Sequence, residues 1–419
     1  MLGMVSAALR VPEIRKKLLF TAAMLALYRL GSQIPTPGIN TDVLEQIQGR
    51  FQAAGALGLA NLLTGGGLSR FSIFALGIMP YITASIVLQL LTVVVPSLEK
   101  LRKEGEVGQE RITQYTRYLT VGLAFLQSVG FIFIYRTQSA DIIEGFTLGR
   151  VIVIVATLTC GCVLVMWLGE LITQRGIGNG ISLMIFASII AGLPQGVQSW
   201  WTSPDRVFQV IAPFLVLAVT AAVVFVQEGQ RRIPVQYARR TLGERMQSGG
   251  STYLPLRVNM AGVIPVIFAA SVMAFPPTIG QISNAAWARD LSAFFDYRGA
   301  PYLIGESLLI ILFTYFYTAV TFNPVEQADN LKKYGGFIPG VRPGRPTAEY
   351  LDRILARLTL PGAIYLAAIA AMPTLLANQT ATNFAFGGTS LLIVVGVALD
   401  TMKQLEAQLM MRNYERFLK

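Results

Sequence analysis

GALGLANLLTGGGLSRFSIFALGIMPYITASIVLQLLTVVVP, residues 55–96, is the stretch whose reading decides the fold. Its first part, Ala56 to Leu68, is apolar enough to leave water, yet it is shorter than the roughly 20 residues a spanning helix needs. It contains the run Gly65, Gly66, Gly67, so it is expected to enter the membrane region and turn back. After Arg70 comes an apolar run of spanning length, residues 71–95, predicted as a helix broken in its middle by Gly77, Ile78, Met79 and Pro80. Irregular backbone at membrane depth survives only where protein or a water-filled cavity satisfies its polar groups. The two parts read as the wall and stopper of a path.

Composition places the whole chain in the same class. Of its 419 residues 53% are apolar and 14% charged, and the charges cluster between long uncharged runs. Ten such runs are predicted as spans, near 18–33, 71–95, 118–135, 151–172, 179–195, 207–227, 259–276, 303–322, 358–376 and 386–402. A soluble fold with that many apolar helices would have no polar surface left. Between the spans, alternate segments beginning with the first hold 26 Lys and Arg, and the others 7. The asymmetry puts both termini in the cytosol. It also explains the net charge of +11 without a nucleic-acid partner. The first apolar run lacks a small-residue cleavage site, so no cleavable signal is expected.

Several chemistries are excluded. There is no histidine, and Cys160 and Cys162 stand two apart in one apolar run, facing different sides of a helix. Imidazole chemistry, ordinary zinc sites and a Cys160–Cys162 bridge are ruled out. No GxxxxGK[ST] phosphate loop occurs, so the chain has no route of that kind to ATP hydrolysis; no enzyme activity and no cofactor are expected.

The chain divides into an amphipathic head (1–17), a first five-helix half (18–195) with the re-entrant stretch 56–68, a second half (196–406) and a tail (407–419). Within the second half, the polar segments 228–258 and 323–357 are long for bundle connections. One contains EGQRRIPVQYARR (228–240), the other YGGFIPGVRPGRPT (334–347). Arg231, Arg232, Arg239, Arg240 and Arg342, framed by Pro, Gly and Ile233, Val235, Tyr237, Phe337 and Ile338, predict a structured hairpin or turn with exposed guanidinium groups. Such a surface suits docking of a large partner, since orientation alone needs no prolines or buried aromatics.

The halves repeat one another. Residues 77–82 and 262–267 both read GxxPxI, and residues 180–185 and 388–393 both read GxSLxI, each pair in corresponding spans. Five spans being odd, the second half must be inserted inverted. Equivalent residues then meet near the midplane, which selects Ile82, Ile185, Ile267 and Ile393, with Ile78 and Ile181 one turn away. Six β-branched side chains, stiff and without hydrogen-bonding groups, form a dry constriction that gates by dewetting. Ile152 and Ile310 read as ordinary lipid-facing isoleucines. Arg29, Glu170, Glu306 and Asp400 fall near span ends, where snorkelling or loop pairing accounts for them.

The motifs YRLGSQIPTPGI (28–39), FSIFALGIMPYIT (71–83), TQRGIGNGIS (173–182), EGQRRIPVQYARR, YGGFIPGVRPG and GGTSLLIVV (387–395) come in an order that resembles the SecY family, channel subunits of the bacterial Sec protein translocase. The resemblance implies an all-α polytopic protein of ten transmembrane helices, built as two inverted five-helix halves around an hourglass pore. It implies a pore ring at the six isoleucines, and a plug helix carrying Ala56, Leu57, Leu59, Asn61, Leu62, Leu63 and Leu68. It further implies a lateral gate between the second and third helices and the seventh and eighth, with Gln89 and Asn259 as polar residues on the seam. The implied function is passage of unfolded secretory polypeptides across the membrane and release of hydrophobic helices into it. The implied partners are SecE, SecG, SecA, the ribosome, signal-bearing polypeptides and lipid. Arg342 matches the critical loop arginine, whereas Arg345 stands where an acid is more usual, which alters the charge pattern offered to the partner. A bacterial plasma membrane is the expected location. The alternative, a secondary transporter with an inverted repeat, would need ionisable groups at midplane, and none is expected there.

Overall fold

Glycine and proline punctuation breaks this chain into long helices that carry a small sheet on one face. The computed structural model describes residues 10–46, 61–143, 145–202, 206–237, 241–242, 245–246, 251–273, 286–296, 299–380 and 388–417. In the first half lie α1 (Pro12–Gly31), α2 (Met79–Val94), α3 (Pro96–Lys103), α4 (Glu106–Gln138), α5 (Leu148–Arg175) and α6 (Gly180–Trp201). The second half comprises α7 (Arg206–Glu228), strands β1 (Gln230–Tyr237) and β2 (Ser251–Arg257), α8 (Ile264–Met273), α9 (Ala300–Thr321), α10 (Pro324–Lys333), strand β3 (Gly336–Phe337), α11 (Arg345–Thr380) and α12 (Gly388–Phe417). Each of the ten expected spans overlaps a helix, in order.

Six described helical stretches are long and apolar enough to cross a membrane unaided: 106–136, 148–175, 180–198, 209–228, 300–333 and 345–372. A broken span, α2 and α3, bends by 98° at Pro96, and α8 is a shorter apolar helix. The sequence repeats mark four helix starts. Gly77 (φ 54°) and Gly262 (φ 63°) hold left-handed backbone that a side chain would strain, and α2 and α8 begin two residues beyond each. Gly180 and Gly388 are themselves the first residues of α6 and α12. Equivalent isoleucines therefore occupy equivalent turns: Ile82 and Ile267 in the first turn of α2 and α8, Ile185 and Ile393 early in α6 and α12.

Four expectations need correction. Residues 71–78 are not the first half of a broken helix: they run through turns, with Phe71 itself at φ 46°. Their backbone is taken up elsewhere, as Thr36 N–H donates to the Phe71 carbonyl and Ile73 N–H to that of Ile34. The Ile73 carbonyl presses on Gly161 of α5 so closely that a Cβ there would stand 2.0 Å from it. Second, the described part of the head does not lie apart. Residues 12–17 are the first turns of α1, and Ile14 packs with Ile177 and Leu405. Third, Ile310 is fully buried in the core, whereas Ile152 is exposed. Fourth, Glu306 does not snorkel. It is 3% exposed, because the end of α8 covers the early turns of α9, with Met273 Cε 3.4 Å from where a Gly305 Cβ would stand. The other ionisable groups behave as expected: Arg117 grips Glu170 through two bonds of 2.9 and 2.7 Å.

One apolar core joins the two halves, drawing Ile86 from α2, Val165 from α5, Ile189 from α6, Val223 from α7, Phe313 from α9, Leu366 from α11 and Val397 from α12. In a membrane such a core is held by close packing, since lipid tails solvate isoleucine as well as protein does. Small residues permit that packing: a Cβ on Gly180 would come within 1.9 Å of the Gly169 carbonyl, so α5 and α6 touch backbone to backbone.

Candidate functional site

The six isoleucines singled out by the repeats converge. Ile78, Ile82, Ile185, Ile267 and Ile393 are 2–5% exposed and belong to the one core shared by both halves. Ile181 is half-buried and packs against it, its Cγ1 standing 3.5 Å and the Ile78 Cδ1 3.7 Å from the position of a Gly169 Cβ. Ile82, Ile181, Ile185 and Ile267 help line a cavity of about 280 Å³. A larger neighbour of about 440 Å³ shares Asn179, Ser182, Ile264 and Tyr317 with it and opens toward Gln227, Arg257 and Lys403. The arrangement is a pair of adjoining cavities of mixed polar and apolar lining, with branched hydrocarbon in the wall of the smaller one.

Behind that waist lies the C-terminal end of the re-entrant stretch. Ala56, Leu57 and Leu59 fall outside the described residues; Asn61, Leu62, Leu63 and Leu68 do not. Asn61–Leu63 form a helical turn, after which Gly65 (φ 65°) and Gly66 (φ 83°) reverse the chain. Asn61 organises the reversal: its Oδ1 accepts from Ser69 N–H at 2.9 Å and its carbonyl from Gly66 N–H at 2.8 Å. Leu63 packs on the central core, and Leu68 is buried in a second cluster with Phe71, Tyr135 and Leu158. Side chains from two helices grip the loop, one of them braced by a third helix. Tyr28 of α1 shares a hydrogen bond of 2.8 Å with Ser188 of α6 and reaches the Thr64 carbonyl at 3.5 Å. Arg29 donates to the Gly65 carbonyl, and Tyr135 of α4 to that of Leu68. Sequence reasoning passed over these anchors. Their only signal is a hydroxyl or guanidinium inside an otherwise apolar run.

Gln89 on α2 and Asn259 just before α8 border the two cavities, Gln89 the smaller and Asn259 the larger. Each amide is half satisfied. Gln89 Nε2 donates to Ser85 Oγ at 3.3 Å and Asn259 Nδ2 to the Gly262 carbonyl at 3.0 Å. The Gln89 Oε1 and Asn259 Oδ1 acceptors are buried without a partner. An orphaned acceptor costs about 1–3 kcal/mol; two of the five such buried groups among the described residues fall on the α2–α8 seam.

The two long polar segments fuse into one sheet of order β2-β1-β3, antiparallel throughout, with Gln230 opposite Arg257 and Gln236 opposite Phe337. Strand β1 alternates as a half-buried strand must. Ile233 and Val235 bury against Leu256, Ile338, Leu351 and Leu355, while Arg231 and Arg232, at the start of the strand, are both exposed. Tyr237 and Phe337, expected as buried aromatics, are 37% and 36% exposed: Phe337 pairs with the outward-facing Gln236, and Tyr237 is the last residue of β1, beyond the buried Ile233 and Val235. Arg342 is exposed in a turn between Gly340 (φ 81°) and Gly344 (φ 100°), its carbonyl accepting from Thr347 Oγ1 at 2.8 Å. Arg239 and Arg240 lie outside the described residues. Arg345 reaches Glu349 at 3.1 Å, an exposed pair on the first turns of α11. Among the described residues no group of His, Cys, Asp and Glu could hold a metal ion.

Comparison with known proteins agrees with this architecture. Residues 72–402 match the sequence profile of the SecY family. The chain is 49% identical over 442 residues to the protein translocase subunit SecY of Mycobacterium tuberculosis, and 50% identical over 440 residues to that of Streptomyces coelicolor, covering 100% of both chains in each case. A solved structure described as a protein-conducting channel superposes with a TM-score of 0.64 at 19% identity, over 93% of this chain and 91% of the other. One concerned with the SecY plug domain gives 0.63 at 19% identity over 96% of both, and Sec61 in the canine ribosome-channel complex gives 0.61 at 18% identity over 93% and 91%. At such identities the structures speak for the fold, whereas the full-length likeness to the mycobacterial and streptomycete proteins places this chain in the SecY family.

Proposed function

We propose that this chain is the protein-conducting subunit of a bacterial translocase. It passes unfolded secretory polypeptides across the plasma membrane and releases hydrophobic helices sideways between α2 and α8. The observation that carries the reading is the convergence of six isoleucines from both halves in one core, four of them lining a cavity, with an anchored loop packed against that core. In this reading the isoleucines are the idle seal, residues 56–68 the plug, and Gln89 and Asn259 the polar seam of the lateral gate. The sheet and the turn after it, with the exposed Arg231, Arg232 and Arg342, stand in the cytosol with both termini and receive SecA or the ribosome. SecE and SecG complete the membrane complex. The chain hydrolyses no ATP; the motor or a gradient drives transport.

A transporter reading would have to use Glu306, the buried carboxyl of α9. That residue sits in the early turns of its helix and lines neither of the two cavities. Reconstitution with SecE, SecA and ATP in lipid vesicles, followed by protease protection of a signal-bearing precursor, tests the proposal. Protected full-length precursor is expected. Precursor that stays digestible in vesicles holding a correctly inserted complex would overturn it.

A further inference from the structure

The sheet is joined to the two walls of the waist in different ways. Toward α8 the join is covalent and short, for β2 ends at Arg257, Asn259 follows two residues later, and Ile267 lies in the first turn of the helix beyond. The root of the sheet is closed by Val258 N–H donating to the Gly229 carbonyl at 2.9 Å, and Val258 is seated on Gly362 of α11, where a Cβ would come 2.7 Å from its carbonyl. Toward α12, which carries Ile393, no covalent path is near. There the join is made by charge: Lys403 Nζ lies 2.8 Å from Glu228 Oε1, and Arg257 Nη1 lies 3.9 Å from Asp400 Oδ1. Glu228 and Arg257 are the residues at the two roots of the sheet, while Asp400 and Lys403 are one turn apart on one face of α12, two turns beyond Ile393. Close packing completes the seat, since a Cβ on Gly396 would meet Val263 Cγ1 at 2.5 Å and Gln227 Nε2 at 2.9 Å.

We infer that Glu228, Arg257, Asp400 and Lys403 are positioning residues that couple α12 to the sheet, so that a partner moving the sheet displaces Ile393 together with Ile267. The inference rests on the proposed docking of a partner at the sheet. Without the two pairs a load on the sheet still reaches α8 through the backbone, but α12 follows only through its packing at Gly396, so Ile393 lags and the isoleucine waist opens unevenly. A general brace would resist any loss of charge; a coupling needs only that opposite charges face each other. Reversing both members of a pair should therefore restore what reversing one destroys. The pairs are half-exposed and screened by salt, which limits the effect to roughly three- to tenfold.

The test uses the complete complex in vesicles, with SecA as the docking probe, measuring SecA affinity and the ATP-driven translocation rate at saturating SecA separately. Lys403→Glu should lower the rate three- to tenfold with SecA affinity unchanged, and Glu228→Lys combined with Lys403→Glu should recover it. Asp400→Asn, milder and without reversal, should lower the rate less while leaving insertion intact. A wild-type rate for Lys403→Glu at saturating SecA overturns the coupling, as does a reversed pair that inserts normally yet stays slow. The docking reading fails separately: if Arg342→Glu leaves SecA affinity untouched, the sheet is not the partner's seat, and the inference falls with it.

Discussion

Replacing Ile82, Ile185, Ile267 and Ile393 together by valine, and in a second variant by threonine, separates the shape of the waist from its dryness. All four are 2–5% exposed in one core, so truncation to serine would remove packing as well as add polarity. On the soluble-core scale each truncation to a small residue costs about 2–5 kcal/mol, which four times over exceeds the stability of most domains. Ile→Val costs about 0.5–1.5 kcal/mol per site and keeps the branched hydrocarbon wall. Threonine has nearly the outline of valine and differs by a hydroxyl. If each hydroxyl favours a wetted over a dry waist by about 1 kcal/mol, four together shift that balance by about 4 kcal/mol, close to three decades. Potassium or chloride efflux from vesicles without substrate reads the shift directly. The valine variant should stay ion-tight and the threonine variant leak, more so when residues 56–68 are deleted. Threonine at Ile152 and Ile304, both exposed, should change nothing. A plug-deleted threonine variant that inserts, translocates protein and remains as tight as its valine counterpart would show that the isoleucines are not the seal.

Arg342→Glu should abolish SecA-driven translocation while the protein still folds and inserts, because the side chain is exposed; like charges facing each other across a docked pair cost roughly 2–5 kcal/mol if that pair is buried. Titrating SecA checks it, and normal rates across the titration would remove Arg342 from the docking site. Tyr28→Phe deletes a buried hydroxyl shared with Ser188, worth about 1 kcal/mol, and leaves Ser188 bonded to the Met184 carbonyl. Loosening of the loop should raise passage of precursors with weak signal sequences severalfold, and an unchanged signal requirement would count against the anchor. Single cysteines at Gln230 and Gly340, in a Cys160→Ser, Cys162→Ser background, should react with an impermeant reagent from the cytosolic side and one at Asn383 from the other. Labelling of Gln230 and Asn383 from the same side would break the inverted ten-helix topology.

Sequence alone determined the membrane class, the ten spans and the inverted repeat, because each is a local property: apolar runs as long as a bilayer is thick, and glycine marks at helix starts. The repeat also selected the isoleucines, since symmetry turns a one-dimensional match into a statement about depth. Where partners lie far apart in the chain, only tertiary structure decided. Residues 71–78 have the composition of a helix, yet their polar backbone is claimed by residues 34–36 and their space by Gly161. Ile152 and Ile310 look alike in sequence, and only packing exposes one and buries the other. The two long polar segments gave no sign of sharing a sheet, because the pairing of Gln236 with Phe337 spans the whole of α8, α9 and α10. The anchors Tyr28, Ser188 and Tyr135 and the pairs from Glu228 to Lys403 and from Arg257 to Asp400 were silent for the same reason. A hydrogen bond or ion pair between distant residues has no period and no spacing, and exists only once the helices have been brought together.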